Sequence, residues 1–493
     1  MDRLQQCKTS HRSCGLVSKY HLPTRVLDVG TLGGSIRLYQ TQGEIEHYIA
    51  LSHCWGKSRI LTTTTETLEK NIEDILWDSL AKTFQDAVQI VRKLGLKYLW
   101  IDSLCIIQDD DNDWSRESGK MATIYQHAYL TIAATKSSSG KGGLFSIASQ
   151  THLAHALRHP GQDSGLSPVY TRVGLSHPRE GGLWNKSSKD FPLMTRAWTY
   201  QEIILSARII HFASNELIWE CREKYDCECD SYKEFSSNQG SQLKIDHARA
   251  FRDSLLLPRR WRSMVVEYSS LNLTFGKDKL PALSGLAKEM QKYRAGRYLA
   301  GMWESDLLSD LLWRVTDTSM SSRCCPWRAP SWSWVSVEGI VAYDEKDSPG
   351  TWHFLATVIE VECIPAGLDT TGAVSSGHLV ISGKLIESSH YDPKKNQAPN
   401  GSYNEGEVRS RLILDFPFST IPTATAKSDI DIYLLEVGQT EMWERMSAIY
   451  LVLNKLDTEP DTYQRVGLEY VYGKSKTGES WEQNIKNSVV RII

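Results

Sequence analysis

One carboxylate stands out as a candidate for chemistry. Trp114, Glu117, Met121, Ile124 and Ala128 follow one another at steps of three, four, three and four residues, which places them along one stripe of a helix. The other four are apolar or small, so the stripe is a buried one, and a carboxylate on it has to be paired or neutralised. Two readings stand: a structural ion pair with Arg92 or Arg196, or a catalytic acid held in a cleft. Further polar residues fall just past the carboxyl ends of strands, where open α/β sheets place their ligand sites. Ser52 ends the apolar run 48–52 and Gly56 follows it, Asp102 and Ser103 close the core of the run 97–107, and Glu117 opens the helix after it.

The elements that must position these residues are legible from their periods. Phe84, Ala87, Val88, Val91 and Leu94 predict a helix, with Thr83 and Asp86 as a capping box and Gly95 as its stop. The nearly continuous apolar run 97–107 predicts a strand buried on both faces. A polar loop over 108–113, a helix over 114–128 and a strand over 129–134 come next. This alternation predicts an α/β domain, a parallel sheet with helices on both faces. Residues 136–190 read as a loop or insertion. A short helix through Trp198, Gln201, Glu202 and Leu205 leads to strand-like runs at 208–212 and 216–221. Residues 1–47 form a lead-in, 48–220 the α/β domain and 221–330 a mainly helical region, with Trp303, Leu307, Leu308, Leu311 and Leu312 on one face. Beyond Pro330 the texture turns to β, Trp332 and Trp334 alternating, so 331–493 is expected to be a β-rich domain.

At 493 residues the chain exceeds one core and calls for two or three domains. A net charge of −3 carries no basic surplus for nucleic acid. There is no apolar stretch of about 18 residues for a membrane span, and residues 1–13 lack the apolar core of a secretory signal. Ten cysteines in so long a chain are no disulfide framework, so a cytoplasmic protein with reduced thiols is expected. Cys7, His11 and Cys14, and separately Cys221, Cys227 and Cys229, have metal-ligand types. Neither group shows the paired spacing of a zinc site, and no metal is expected. Cys54 and Cys105 read as packing and His53 as a structural histidine, while Gln201 and Glu202 either face the cleft or cap the helix–strand junction.

Several stretches resemble, in order, the motifs of the fungal heterokaryon incompatibility (HET) domain. IALSHCWG at 49–56 resembles the first, YLWIDSLCIIQ at 98–108 the second, continued by DWSRE at 113–117 with Met121, Ile124, Tyr125 and Ala128, and RAWTYQE at 196–202 the third. His53 and Ile107 depart from the usual residues. The resemblance implies a role in self/non-self recognition between fungal cells and in the cell death that follows a mismatch. HET domains in turn resemble TIR domains, which implies a flavodoxin-like parallel sheet and NAD(P) glycohydrolysis, with NAD as substrate and no cofactor. Glu117 would then be catalytic, with Ser52, Trp55, Gly56, Asp102, Ser103, Trp114, Arg196, Gln201 and Glu202 around the substrate. Glu117 follows Trp114 by three residues where the TIR pattern has four, which turns the carboxylate by about 100°. Self-association and an incompatibility partner protein are the expected partners. Two other readings stay open, a non-catalytic scaffold that self-associates and a tailoring enzyme of fungal secondary metabolism.

Overall fold

The computed structural model describes residues 2–15, 18–31, 33–57, 59–157, 169–177, 189–229, 243–343, 352–388, 409–417, 432–442, 445–456, 459–472 and 485–493. The chain divides into two units, one of residues 1–256 with 271–273, the other of 257–270 with 274–493.

The first unit is built on an eight-stranded sheet. Its strands are β1 (Arg25–Asp28), β2 (Arg37–Gln40), β3 (Tyr48–Ser52), β4 (Tyr98–Trp100), β5 (Leu130–Ala133), β6 (Arg208–Phe212), β7 (Leu217–Cys221) and β8 (Tyr225–Cys227), in the spatial order β8-β7-β6-β5-β3-β4-β1-β2. The central four run parallel: Ile49 stands opposite both Leu99 and Leu130, and Thr131 opposite Ile209. β3 and β5 are buried at every position, as strands covered on both faces must be. The flanks are antiparallel, β1 and β2 on one side, β7 and β8 on the other. The sheet is therefore mixed, which corrects the expected all-parallel layout. Two of its strands come from the lead-in.

The α-helices described in this unit are α1 (Asp2–Ser10), α2 (Leu68–Glu73), α3 (Lys82–Lys93), α4 (Asp102–Cys105), α5 (Asp111–Ser118), α6 (Met121–His127), α7 (Ala197–Leu205) and α8 (Leu243–Ala250). Helix α3 buries the expected face, Phe84, Ala87, Val88 and Val91, and ends at Gly95 with φ +69°. The expected capping box is absent. Ala81 is the N-cap, while Thr83 accepts from the Gly143 amide at 3.1 Å and Asp86 from the Leu144 amide at 2.8 Å. These two side chains thus hold a loop of the 136–190 stretch. The long strand expected over 97–107 stops at Trp100, because Asp102 begins a helical turn. The helix expected over 114–128 is two helices that part at Gly119–Lys120. Within 136–190, residues 158–168 and 178–188 lie outside the described residues, and 155–157 pair with 169–171.

The second unit holds helices Leu257–Ser269 and Pro281–Gln291 and a second eight-stranded sheet. Val374–Ser388 pairs with both Ile485–Ile492 and Ile432–Met442, which closes five strands into a ring. The C-terminal region is thus β-rich. Trp332 and Trp334 are fully buried yet lie in a turn and a short 3-10 helix rather than a strand. Their alternation reflects packing without pleating. The single helical face expected over 303–312 is instead a two-residue strand at 302–303 and a short helix, Leu307–Asp310. Among the described residues no helix is long and apolar enough to cross a membrane, and none of the ten cysteines is in a disulfide.

Candidate functional site

The carboxyl ends of β3 and β4 and the helix α7 bring several of the expected residues together. Ser52, the last residue of β3, donates its hydroxyl proton to Glu202 Oε2 on α7. Tyr125 on α6 also hydrogen-bonds Glu202 and donates to the Leu51 carbonyl at 3.1 Å. Trp55 Nε1 donates to Asp102 Oδ2 at 2.9 Å, and Arg196 Nη1 to the His53 carbonyl at 2.8 Å. Glu202 is 6% exposed, whereas the Asp102 side chain is 23% exposed. Trp55 and Arg196 are half-buried. Water therefore reaches the Asp102, Trp55 and Arg196 side of the cluster.

The electrostatics follow from burial. Removal from water pushes the Glu202 carboxyl up to about 7, with Asp102's charge adding to the push and the Ser52 bond, Arg196 and Tyr125 opposing it. Loss of water disfavours the ionised form, so the buried carboxyl keeps its proton to a higher pH. Two carboxyls in unlike surroundings, one buried and one solvated, are an arrangement suited to proton transfer near neutral pH. His53 is buried, and that burial pushes its pKa down. Its Nδ1 lies 3.5 Å from Asp102 Oδ1, but neither ring nitrogen has a hydrogen-bond partner among the described residues. The Ser103 hydroxyl is likewise buried without one.

Glu117 is elsewhere. Its Oε1 accepts from Thr24 Oγ1 at 3.0 Å, Lys120 Nζ at 2.9 Å and Arg116 Nε at 3.3 Å, and the side chain is 2% exposed. It is buried, as its stripe required, but its partners are not Arg92 or Arg196. Arg92 instead donates to the carbonyls of Val29 and Gly34, both at 2.8 Å. Three donors hold this buried carboxylate, and the structure does not bring it to the strand-end cluster of Ser52, Asp102 and Glu202. Trp114 packs edge-on to Trp198 at 6.2 Å and so holds α5 against α7. Gln201 is buried on α7.

Gly56 has a packing reason. Its φ is +71°, and an added Cβ would come within 2.3 Å of Ser139 Cβ. Gly56→Ala is expected to lower stability by about 1–3 kcal/mol, read from urea unfolding of the first unit. Cys105 is enclosed, its thiol pushed up to about 12 by burial, and Cys54 is raised for the same reason. Burial thus favours the neutral thiol at both positions. A cavity of about 400 Å³ lined by Arg12, Arg222, Glu223 and Arg252 touches none of these residues.

Sequence reasoning set Tyr125 within a motif but gave it no part in the site; its bond to Glu202 depends on the packing of α6 beside α7. It also kept Cys7, His11 and Cys14 apart from Cys221, and Cys227 and Cys229 apart from His177 and Glu216. The fold gathers each set of four, with ligand atoms all within 4.8 Å of one another. The ground for expecting no metal, the lack of paired ligands along the chain, therefore does not hold in three dimensions.

Residues 48–202 match the family described as heterokaryon incompatibility protein (HET). That span runs from the first residue of β3 to Glu202 and so takes in the whole strand-end cluster. No curated protein and no solved structure matches the chain.

Proposed function

With a HET domain at residues 48–202 as the premise, we propose that this chain acts in self/non-self recognition between fungal cells and in the cell death that follows a mismatch. Its HET domain would do so by cleaving NAD(P) at the cluster formed by Ser52, Trp55, Asp102, Arg196 and Glu202. The observation that carries this reading is the buried Glu202 carboxyl, pushed up to about 7 beside the solvated Asp102. Perturbed carboxyls at the ends of parallel strands are where α/β proteins concentrate their chemistry.

The reaction needs few parts. The bond from the nicotinamide nitrogen to ribose C1′ breaks, and both its electrons leave with nicotinamide. Water adds to the oxocarbenium-like carbon and gives up a proton. In this reading Asp102 faces the developing positive charge, Glu202 takes the proton and Arg196 holds phosphate. The role that the resemblance assigns to Glu117 passes to Glu202.

A second reading has its own support. Glu202 is bonded to Ser52 and Tyr125 within the domain, as in a core network that serves only the fold, and the domain then signals by self-association alone. One assay separates the two. Purified chain is incubated with NAD, free and under forced oligomerisation, and nicotinamide is measured. Cleavage predicts release that falls by roughly 10²–10⁴-fold in Glu202→Gln and persists in Glu117→Gln. Release equal in Glu202→Gln and wild type ends this reading. Concentration-dependent assembly without nicotinamide replaces it with the scaffold.

A further inference from the structure

We infer that the first unit holds a structural zinc ion between Cys7, His11, Cys14 and Cys221. Three sulfurs and one imidazole nitrogen lie within 4.8 Å of one another, and Cys221 Sγ is 3.3 Å from His11 Nδ1. A tetrahedral zinc with bonds of about 2.3 Å to sulfur sets its ligands roughly 3.8 Å apart, so small side-chain shifts close the shell. The three cysteines are buried, and none is in a disulfide.

The backbone brings these ligands together. Cys7 is on the last turns of α1, and the His11 amide donates to the Cys7 carbonyl at 3.3 Å, which puts the two side chains on one side of the helix end. The short turn Arg12–Cys14 folds Cys14 back. Cys221 arrives from the far end of β7. Arg208 Nη2 donates to the carbonyls of Cys14 and Gly15, both at 3.2 Å, and Arg222 Nη1 to that of Ser13 at 3.4 Å. Three thiolates and a neutral imidazole around Zn²⁺ carry one net negative charge, and these two guanidiniums lie beside it. The cysteines give up their protons to water on binding, and no electron is transferred. Four protein ligands leave no open position, so the ion ties α1 to the sheet and does no chemistry. Thiolate-rich tetrahedral sets select zinc among the common divalent ions.

A separate set carries a second zinc by the same logic. His177, Glu216, Cys227 and Cys229 are all buried within the same limit. His177 Nε2 is 3.1 Å from Glu216 Oε1 and 3.2 Å from Cys229 Sγ, and the two sulfurs are 3.2 Å apart.

The test is metal content of the full chain, purified without chelators and measured by plasma mass spectrometry. Wild type is expected to carry two zinc ions. After exchange it should show the charge-transfer and d–d bands of tetrahedral cobalt thiolate. Cys14→Ser and Cys221→Ser should each lose one ion and Cys229→Ser the other, while Cys325→Ser, an exposed thiol of the second unit, loses none. A single ion that Cys14→Ser and Cys221→Ser each remove and Cys229→Ser leaves in place supports the first site and overturns the second. Folded wild type without stoichiometric zinc and without cobalt–thiolate bands overturns both. That result needs no variant to fold.

Discussion

Arg465→Met is expected to destabilise the second unit by about 3–5 kcal/mol, seen as an earlier urea midpoint for its unfolding. Arg465 is wholly buried, and so is its partner Asp415. The guanidinium donates to Asp415 at 3.1 and 3.2 Å and to the carbonyls of Leu311 and Trp313. It also lies 3.6 Å from the centre of the Trp313 ring. Methionine matches the stem's volume but offers no donor. Two carbonyls and a carboxylate then stay in a dry interior without their main partner. Burial already pushes the Asp415 carboxyl up, with Arg465 opposing. The variant is expected to bind a proton there on folding. Its deficit should therefore shrink as the pH is lowered.

The second large effect is the pH dependence set by Glu202. An ordinary glutamate titrates at 4.5, and burial pushes this one to about 7. Between those values the folded protein keeps a proton that the unfolded chain has released. The stabilisation is therefore complete below about 4.5, is lost as the pH rises through about 7, and does not change above that. The loss is on the order of 3 kcal/mol. Glu202→Gln has no such proton. The difference in unfolding free energy between variant and wild type isolates the group: it should move in the variant's favour by that amount between about pH 4.5 and pH 8. A difference that is flat with pH refutes the raised pKa.

Much of the first unit was legible because its signals are local. The apolar runs of β3 and β5, the face of α3 and the stop at Gly95 each rest on residues close in sequence. β1 and β2 were not, because RVLD and RLYQ begin and end on charged or polar residues and so form no continuous apolar run. The strand over 97–107 was overdrawn for the opposite reason. Its apolar run continues through Ile107, and only the capping propensity of Asp102 marks the turn within it. The mixed sheet was hidden as well, since strand direction is set by tertiary pairing.

The candidate site was legible in its members and not in their roles. Ser52, Asp102, Arg196 and Glu202 do converge, because strand ends and the start of α7 share one edge of the sheet. Glu117 was correctly placed in the interior. Its charged partners, however, are its sequence neighbours Arg116 and Lys120, where a long-range arginine was expected. The ligand sets Cys7–Cys221 and His177–Cys229 join residues far apart in the chain, and no spacing rule reaches that distance.

The most direct measurement of the central claim is the titration of the Glu202 carboxyl, followed by its infrared stretch in glutamate-labelled protein against Glu202→Gln as the blank. A carboxyl signal with its midpoint near 7, missing from the variant, is the predicted result. A midpoint at or below 4.5, the ordinary glutamate value, would mean that this carboxylate is solvated or firmly paired, and the strand-end cluster would lose its claim to chemistry.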